Sequence, residues 1–423
     1  MSKENVKLTI NKVTLPIRSA LIPNYYKSFH CLMGACQDNC CDDGWRIEFS
    51  KKDYLAVKRV AEKDPELQEM VSQGMRRLRG RAHDNMYAEF CLTSEGRCAF
   101  HTDEGLCQLQ LACGENTLPQ VCRMYPRTLY YTTAAKEYCL SPSCEAVLQQ
   151  LWDLPDGVEF VEEPLPKEER YSISISVKEN LRVFFTPIRA LCIDILQNRS
   201  MPLTQRMLCL GVVLQRLQHE DWASLDPDEW VASQWEQIIS MSASFDVPGN
   251  RDMFLMQNIN TLGKIVRAAS WNSDIYYALK VQRRQTFIAD KNGVFNQEKT
   301  CTVNYSKDAY QEALTQFEAV FSGHEYFFEN LMVAVALYIG FPNLDSKEKM
   351  WKNYVSLCNL YSFYRFVSVL GCKGESTKER LFHMIVMASR ATLHNEDRLD
   401  SFQEELFQND SSTLAHMAIL LKG

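Results

Sequence analysis

Apolar residues recur at helical spacing through most of the chain beyond residue 170. The pattern predicts helices over 178–198 and 203–219, with a break between them at Ser200-Met-Pro202. Another helix is expected after Asp226-Pro227, since acidic side chains at a helix start interact favourably with the helix dipole. The C-terminal part of the chain is therefore predicted to be helical almost throughout.

Two capping-box patterns predict further helix starts towards the C-terminus. They occur at Asp345–Glu348 and Ser376–Glu379, and we expect helices over about 346–370 and 377–392 to follow them. Residues 354–370 are apolar nearly all round, which is typical of a helix buried at the centre of a bundle.

Little β-structure is expected. The best candidate is a hairpin, Arg127–Thr132 with Lys136–Leu140, which is rich in Tyr and Thr. The segment 153–170 has three prolines and seven acidic against two basic residues, which indicates a linker or a long surface crossing. These boundaries predict an N-terminal module in 1–152, a linker, and a helical domain in 171–423. The predicted fold is mainly α, with a cysteine-rich, loop-heavy N-terminal module that carries the hairpin and docks on a C-terminal helical bundle.

Charge and composition exclude some classes of protein. The 423 residues carry a net charge of −7, which argues against nucleic-acid binding through bulk charge. No apolar run reaches the ~18 residues that a membrane-spanning helix needs. The N-terminus has no apolar core of a signal peptide, so we expect a cytoplasmic protein in a reducing compartment.

The cysteines are unevenly distributed. Eleven of the sixteen lie between Cys31 and Cys144, and the other five are scattered through apolar helical patterns. In a reducing compartment, a cluster of this kind indicates metal binding, because thiolates select zinc, copper(I) or iron–sulfur clusters. Adjacent Cys40 and Cys41 point in different directions in most backbone conformations. They are therefore either one ligand plus one packed thiol, or ligands to two different centres.

The cysteine pattern resembles a zinc- or iron-chelating family with eight recurrent cysteines. Several short stretches more closely resemble the bacterial flagellin lysine N-methylases. The similarity runs in islands from about residue 23 to about residue 370, which include Pro23–Cys31, Cys40–Ile47, Ser141–Ala146, Ile195–Arg199 and Phe328–Asn330.

The resemblance implies methyl transfer from S-adenosylmethionine to lysine side chains of flagellin by an enzyme with a [4Fe-4S] cluster. Zinc is the alternative metal. A non-catalytic zinc- or iron-binding module fused to a helical partner-docking domain is the alternative function. The resemblance carries the role of metal ligand to eight cysteines of this sequence: Cys31, Cys36, Cys40, Cys41, Cys98, Cys107, Cys122 and Cys144.

The motif Cys122-Arg-Met-Tyr-Pro-Arg127 supplies candidates for the chemistry. Pro126 favours an extended conformation at Tyr125, so we expect Tyr125 and Cys122 to lie on a non-helical segment near the metal. A tyrosine hydroxyl can accept or relay the lysine proton, which makes Tyr125 the candidate catalytic residue. Arg123 and Arg127 are the candidates for binding the carboxylate of the methyl donor.

Two common signatures are missing from the sequence. There is no Gly-x-Gly-x-x-Gly after a predicted strand, so a doubly wound methyltransferase fold is not expected. Cys36-x3-Cys40 begins the pattern of radical enzymes, but Asp43 occupies the third place. Polar transfer needs no radical, provided that the lysine ammonium, with a pKa of about 10.4, first loses a proton.

Overall fold

A computed structural model gives the architecture of the chain. It describes residues 19–422 apart from 43, 80–85, 132–135, 165–172, 175–181, 223, 242–248, 269–281, 290–294, 303–306, 395–406 and 408–411. Six short helices lie in the N-terminal part: α1 (Asn24–Lys27), α2 (Lys51–Ala61), α3 (Pro65–Gly74), α4 (Gln108–Cys113), α5 (Gln120–Met124) and α6 (Glu145–Trp152). The remaining described helices are α7 (Arg182–Leu196), α8 (Leu203–His219), α9 (Pro227–Met241), α10 (Arg251–Ala268), α11 (Lys307–Val320), α12 (Tyr326–Tyr338), α13 (Lys347–Gly371), α14 (Lys378–Leu393) and α15 (Leu414–Leu421).

The predicted helices are confirmed, and the mainly α fold with them. Helix α8 has the bounds expected from the apolar pattern. Helix α7 ends at Leu196, two residues before the predicted end, and residues 178–181 of that prediction lie outside the described chain. In α13, every residue from Tyr354 to Leu370 is buried except Asn359 and Arg365. None of the helices described is long and apolar enough to cross a membrane.

The two capping boxes mark helix starts one residue too early. Ser346 caps α13 by accepting a hydrogen bond from the backbone N–H of Lys349, and Thr377 caps α14 by accepting one from Arg380. In each case the first residue of the pattern lies just outside the cap. The neighbouring Ser or Thr supplies the oxygen, because either residue type can satisfy the unpaired N–H groups of a first turn.

The described strands are β1 (Ser19–Pro23), β2 (Glu48–Phe49), β3 (Met75–Arg77), β4 (Ala88–Phe90), β5 (Arg127–Tyr131), β6 (Lys136–Leu140), β7 (Phe160–Pro164), β8 (Ile173–Ser174), β9 (Gln282–Ala289) and β10 (Phe295–Thr302). They form a five-stranded sheet in the order β7-β1-β6-β5-β8, a three-stranded sheet β2-β4-β3, and the pair β9-β10. The predicted hairpin is confirmed as β5 and β6.

The structure has more β-structure than the sequence predicts. β7 lies inside 153–170, the expected linker, and pairs antiparallel with β1 along all five residues. β9 and β10 form an antiparallel pair within the region that was predicted to be helical almost throughout. Strand pairing depends on a distant partner, whereas the helical pattern is local, so these strands are harder to predict.

Two hydrophobic cores divide the molecule. The smaller one lies between residues 49 and 118, and Cys98, Cys107, Cys113 and Cys122 pack against its edge. The larger core runs from Tyr25 through the hairpin and α6 into the helical bundle, as far as Leu421. The five-stranded sheet is joined to the bundle by a buried ion pair, because Arg189 of α7 contacts Glu137 of β6 at 2.6 Å.

Close helix packing at Gly211 leads to a first prediction. A Cβ atom at Gly211 of α8 would collide with the ring and hydroxyl of the fully buried Tyr354 in α13. Gly211→Ala should therefore lower the free energy of unfolding by about 1–3 kcal/mol, since a rigid ring in a packed core cannot move aside. Thermal unfolding measures this change.

Gly371→Ala is the matched control, because the three atoms nearest to its Cβ would all belong to the flexible side chain of Met384. It should cost less than Gly211→Ala. Equal unfolding temperatures for the two variants would contradict the packing described for α8 and α13.

Candidate functional site

One cavity collects all eight cysteines that the sequence analysis assigns to metal. It has a volume of about 260 Å³, and Trp45, Tyr125 and Arg390 also line it. None of the eight thiols forms a disulfide. The cavity lies where the small core meets the large one, with Cys98, Cys107 and Cys122 on one side and Cys144 on the other. The fold therefore brings together thiols that are up to 113 positions apart in the sequence.

Short elements place these thiols. Cys36 ends a one-turn 3₁₀ helix (Met33–Ala35), and Cys107 and Cys144 are the N-cap residues of α4 and α6. Backbone N–H groups at the starts of α4 and α6 lower the pKa of the Cys107 and Cys144 thiols against the larger effect of burial. Helix N-termini stabilise negative charge, so these two positions suit thiolate ligands.

Burial raises the pKa of several of these thiols in the metal-free chain. It is the main cause that raises the pKa of Cys98 to about 11 and that of Cys144 to about 12. It also raises the pKa of Cys36 and Cys122, with further contributions from neighbouring thiols. For Cys41 the largest cause is a hydrogen bond with Cys40. A metal that binds here must displace these protons, so its affinity should rise with pH.

The thiols line the cavity walls rather than surrounding one point. Across the described residues, no three His, Cys, Asp or Glu side chains are placed to hold a single metal ion. Two histidines lie close in sequence to the proposed ligands Cys31 and Cys98, but neither lines the cavity. His30 contacts the carbonyl of Ser28, and His101 lies 3.0 Å from a carboxylate oxygen of Asp42.

Side chains from α6 and α14 hold the loop Cys36–Cys41 against the rest of the site, and one of them, His383 of α14, lies 2.7 Å from a carboxylate oxygen of Asp38. The carboxylate of Glu145 accepts hydrogen bonds from the backbone N–H groups of Gln37 and Asp38. Arg390 of α14, only 4% exposed, donates to the carbonyl of Asp38 at 2.7 Å and to that of Ser143 at 3.3 Å. The helical bundle thus fixes two cysteine-bearing loops, one on either side of Arg390.

A second cavity of about 370 Å³ adjoins the first. Trp45 and Tyr125 line both cavities, and His394 lines only the second. The Trp45 ring packs edge-on against Tyr125 at 5.1 Å and tilted against His394 at 4.5 Å. These three aromatic rings therefore border the space between the thiols and the second cavity.

A chain of polar contacts connects Tyr125 to His394. The Ser143 hydroxyl lies 3.0 Å from the Tyr125 hydroxyl, 2.6 Å from the Ser141 hydroxyl and 2.6 Å from Nε2 of His394. Burial of the ring, with the nearby Arg390 guanidinium, lowers the pKa of His394 to about 4. Burial raises the pKa of Tyr125 well above its usual value. At neutral pH both side chains are therefore uncharged.

The predicted arginines lie in different surroundings. Arg127 lines the second cavity, with its guanidinium 4.9 Å from the centre of the Phe29 ring. Arg123 lines neither cavity and donates to the carbonyl of Asn116. The extended conformation predicted for Tyr125 is confirmed, with φ −56° and ψ 134°. The expectation that Cys122 lies on a non-helical segment is wrong, because Cys122 is within α5.

Several residues at this site were missed by the sequence analysis. Ser143 and Glu145 lie in Ser141–Ala146, one of the stretches that resemble the family. That resemblance could have indicated these two residues. Arg390 and His394 lie at the end of an ordinary amphipathic helix, where no local pattern distinguishes them. Only the folded chain brings them beside residues more than 240 positions away.

Comparison with known proteins places most of the helical region in a family. Residues 189–420, more than half of the chain, match the model of the FliB lysine N-methylase C-terminal domain. No solved structure matches the chain.

Three named relatives come from Salmonella. The lysine-N-methylases of Salmonella typhimurium (strain LT2) and Salmonella choleraesuis are each 26% identical over 144 residues, which is 34% of this chain and 35% of theirs. The flagellar biosynthetic protein FliU of Salmonella muenchen is 26% identical over 137 residues, 32% of this chain and 78% of that protein. The aligned part thus spans about a third of the two lysine-N-methylases. On the match over residues 189–420, this chain belongs to the FliB lysine N-methylase family.

Proposed function

We propose that this chain is a protein-lysine N-methyltransferase that transfers methyl groups from S-adenosylmethionine to lysine side chains of flagellin, with a [4Fe-4S] cluster held by the N-terminal cysteines. One observation carries the proposal: the eight cysteines, drawn from separate loops, line a single cavity beside Trp45 and Tyr125. Membership of the FliB family and the names of the Salmonella relatives support the lysine methylase activity.

The donor set fits an iron–sulfur cluster. The polar groups in this cavity are mostly thiols, which are the ligands that such clusters take. A single cluster takes at most four cysteine ligands, so some of the eight thiols would remain unbound. Eight thiols would be enough for two clusters. When bound, the cluster would supply a site that can hold the amino group of the methyl donor, and the donor carboxylate is left to the arginines of the adjoining cavity.

Structural zinc fits this arrangement less well. A zinc ion needs four donors at about 2.3 Å from one point. The described residues contain no group of three convergent donors. A cluster accepts thiols that are farther apart, because they bind different iron atoms. The thiol-rich lining of the cavity and the family membership support the cluster over a non-catalytic zinc module.

The second cavity is the proposed site for the rest of the donor. Arg46 and Arg127 line it and can pair with a carboxylate, while Trp45 and Tyr338 offer aromatic surface to an adenine ring. No Asp or Glu lines this cavity among the described residues. An ammonium group that enters it meets no counter-charge there, which favours the neutral amine that methyl transfer requires.

The proposed substrate is flagellin itself, because one relative is named a flagellar biosynthetic protein. We propose that the helical domain, residues 171–423, docks flagellin and presents its lysines to the N-terminal site. The sequence contains no motif typical of a groove that binds a defined peptide sequence. We therefore expect the protein to recognise whole flagellin rather than a short peptide.

The central test measures iron, sulfide and methyl transfer on protein purified without oxygen. Wild-type protein should be brown, absorb near ~400 nm and methylate flagellin lysines, as mass spectrometry would show. Single Cys→Ala changes at Cys36, Cys40, Cys107 and Cys122 should remove the absorbance and destabilise the N-terminal module, because metal binding and folding are linked.

Cys192→Ala, Cys209→Ala and Cys358→Ala are the matched controls, since these thiols are buried in the large core away from the cavity. They should keep the full iron content. A colourless wild-type protein with stoichiometric zinc, or full iron in most of the motif variants, would overturn the cluster assignment.

A further prediction separates the two candidate arginines. Arg127→Ala should weaken binding of S-adenosylmethionine by about 10- to 100-fold, the effect of losing a charge-assisted pair. Arg123→Ala should leave affinity nearly unchanged, because this side chain contacts Asn116 outside both cavities. Calorimetric titration measures both variants. A larger loss for Arg123→Ala than for Arg127→Ala would place the donor carboxylate elsewhere.

A further inference from the structure

We propose that Tyr125, Ser143 and His394 form the path by which the substrate lysine loses its proton before methyl transfer, with His394 as the final acceptor. The inference rests on the proposed function, which requires a neutral amine. It adds a role for two residues, Ser143 and His394, that neither the sequence analysis nor the family comparison identifies.

The contacts form one continuous chain from the thiol cavity outwards. Tyr125 lines both cavities, so its ring lies beside the space where amine and methyl donor would meet. Its hydroxyl contacts Ser143, which is completely buried, and Ser143 contacts Nε2 of His394 at 2.6 Å. His394 follows the last residue of α14, and the residue as a whole is exposed although burial still affects its ring. The chain therefore starts at a buried position and ends where water can take a proton.

The hydrogen-bonding capacity of Ser143 is compatible with a path that runs towards His394. A serine hydroxyl has one hydrogen to donate and can accept two. Its three neighbours are satisfied when Ser143 donates to Nε2 of His394 and accepts from the hydroxyls of Tyr125 and Ser141. In this arrangement every hydroxyl proton already points towards His394.

The proton balance follows from this arrangement. The lysine ammonium gives a proton to the Tyr125 oxygen, the Tyr125 proton moves to Ser143, and the Ser143 proton moves to Nε2. His394 then releases a proton from Nδ1 to water. The freed lone pair of the lysine nitrogen forms the N–C bond, while the S–C bond of the sulfonium donor breaks and its electron pair stays on sulfur.

The surroundings keep the His394 ring in its neutral form. Burial and Arg390 lower its pKa to about 4, so the ring is neutral at physiological pH and titrates only under acid conditions. Tyr125 holds its own proton because burial raises its pKa, so it relays a proton rather than acting as a permanent base. The charged and titratable groups around the ring among the described residues are Arg390, Arg46, Arg127, Tyr125 and Tyr338. None of them is an acid that would hold the imidazolium.

The test is single-turnover methylation of flagellin as a function of pH, with His394→Ala, Ser143→Ala and Tyr125→Phe. Each variant should be about 100-fold slower at pH ~7, the usual scale of general acid–base catalysis. The deficit should shrink towards pH ~10, because more of the lysine then arrives as the free amine. Added imidazole should restore part of the rate to His394→Ala and none to Tyr125→Phe.

His219→Ala is the control, since His219 is exposed at the end of α8, outside both cavities. It should match the wild type with and without imidazole. Iron content should be unchanged in all four variants, which separates the relay from the metal site. If the wild type methylates flagellin and the three relay variants keep its rate and pH profile, the relay is overturned. If the wild type does not methylate at all, the proposed function fails, and the relay with it.

Tryptophan fluorescence gives a readout that does not depend on turnover. Trp45 lies 4.5 Å from the His394 ring, where a protonated imidazole would quench its emission. The difference in emission between wild type and His394→Ala should therefore stay constant from pH ~8 to pH ~6, because the ring remains neutral. A quenching step in that interval would show that His394 is protonated there and would overturn its role as acceptor.

Discussion

The thiol cavity depends on the buried guanidinium of Arg390. This side chain donates to the carbonyl of Asp38, between Cys36 and Cys40, and to the carbonyl of Ser143, beside Cys144. A charged donor on two buried carbonyls contributes more than neutral hydrogen bonds do, and its loss leaves both carbonyls unsatisfied. One residue of the helical bundle therefore contacts both loops that carry thiols, and His383 of the same helix also contacts the Asp38 carboxylate. The N-terminal module is thus held in part by contacts with the helical bundle.

The same contacts connect the proposed metal site to the proposed chemistry. Glu145 holds the backbone of the Cys36–Cys41 loop from the α6 side, and Arg390 holds it from the α14 side. Ser143, whose carbonyl Arg390 binds, places its hydroxyl between Tyr125 and His394. Arg390 also lowers the pKa of His394. Arg390 therefore affects both the geometry of the loops and the protonation state of the proposed acceptor, His394.

Local signals in the sequence are sufficient for much of this structure. Helix bounds such as Leu203–His219 follow from apolar spacing, and the β5–β6 hairpin follows from its composition. The eight cysteines could be grouped because they match the motifs of the family that the sequence resembles. Contacts made only on folding could not be predicted: β7 pairs with a strand about 140 positions away, and Arg390 reaches Asp38 across 352 positions. His394 carries no local signal, because its role depends entirely on what packs against it.

The amount of iron bound per chain in Arg390→Ala tests the central claim most directly. Arg380→Ala is the comparison, because Arg380 lies on the same helix and binds the carbonyl of Gly371 instead of a cysteine loop. After anaerobic reconstitution, Arg390→Ala should lose most of its iron and Arg380→Ala should retain the wild-type amount. Full iron loading in Arg390→Ala would contradict the account, since the thiols would then assemble without the contact that is held to position them.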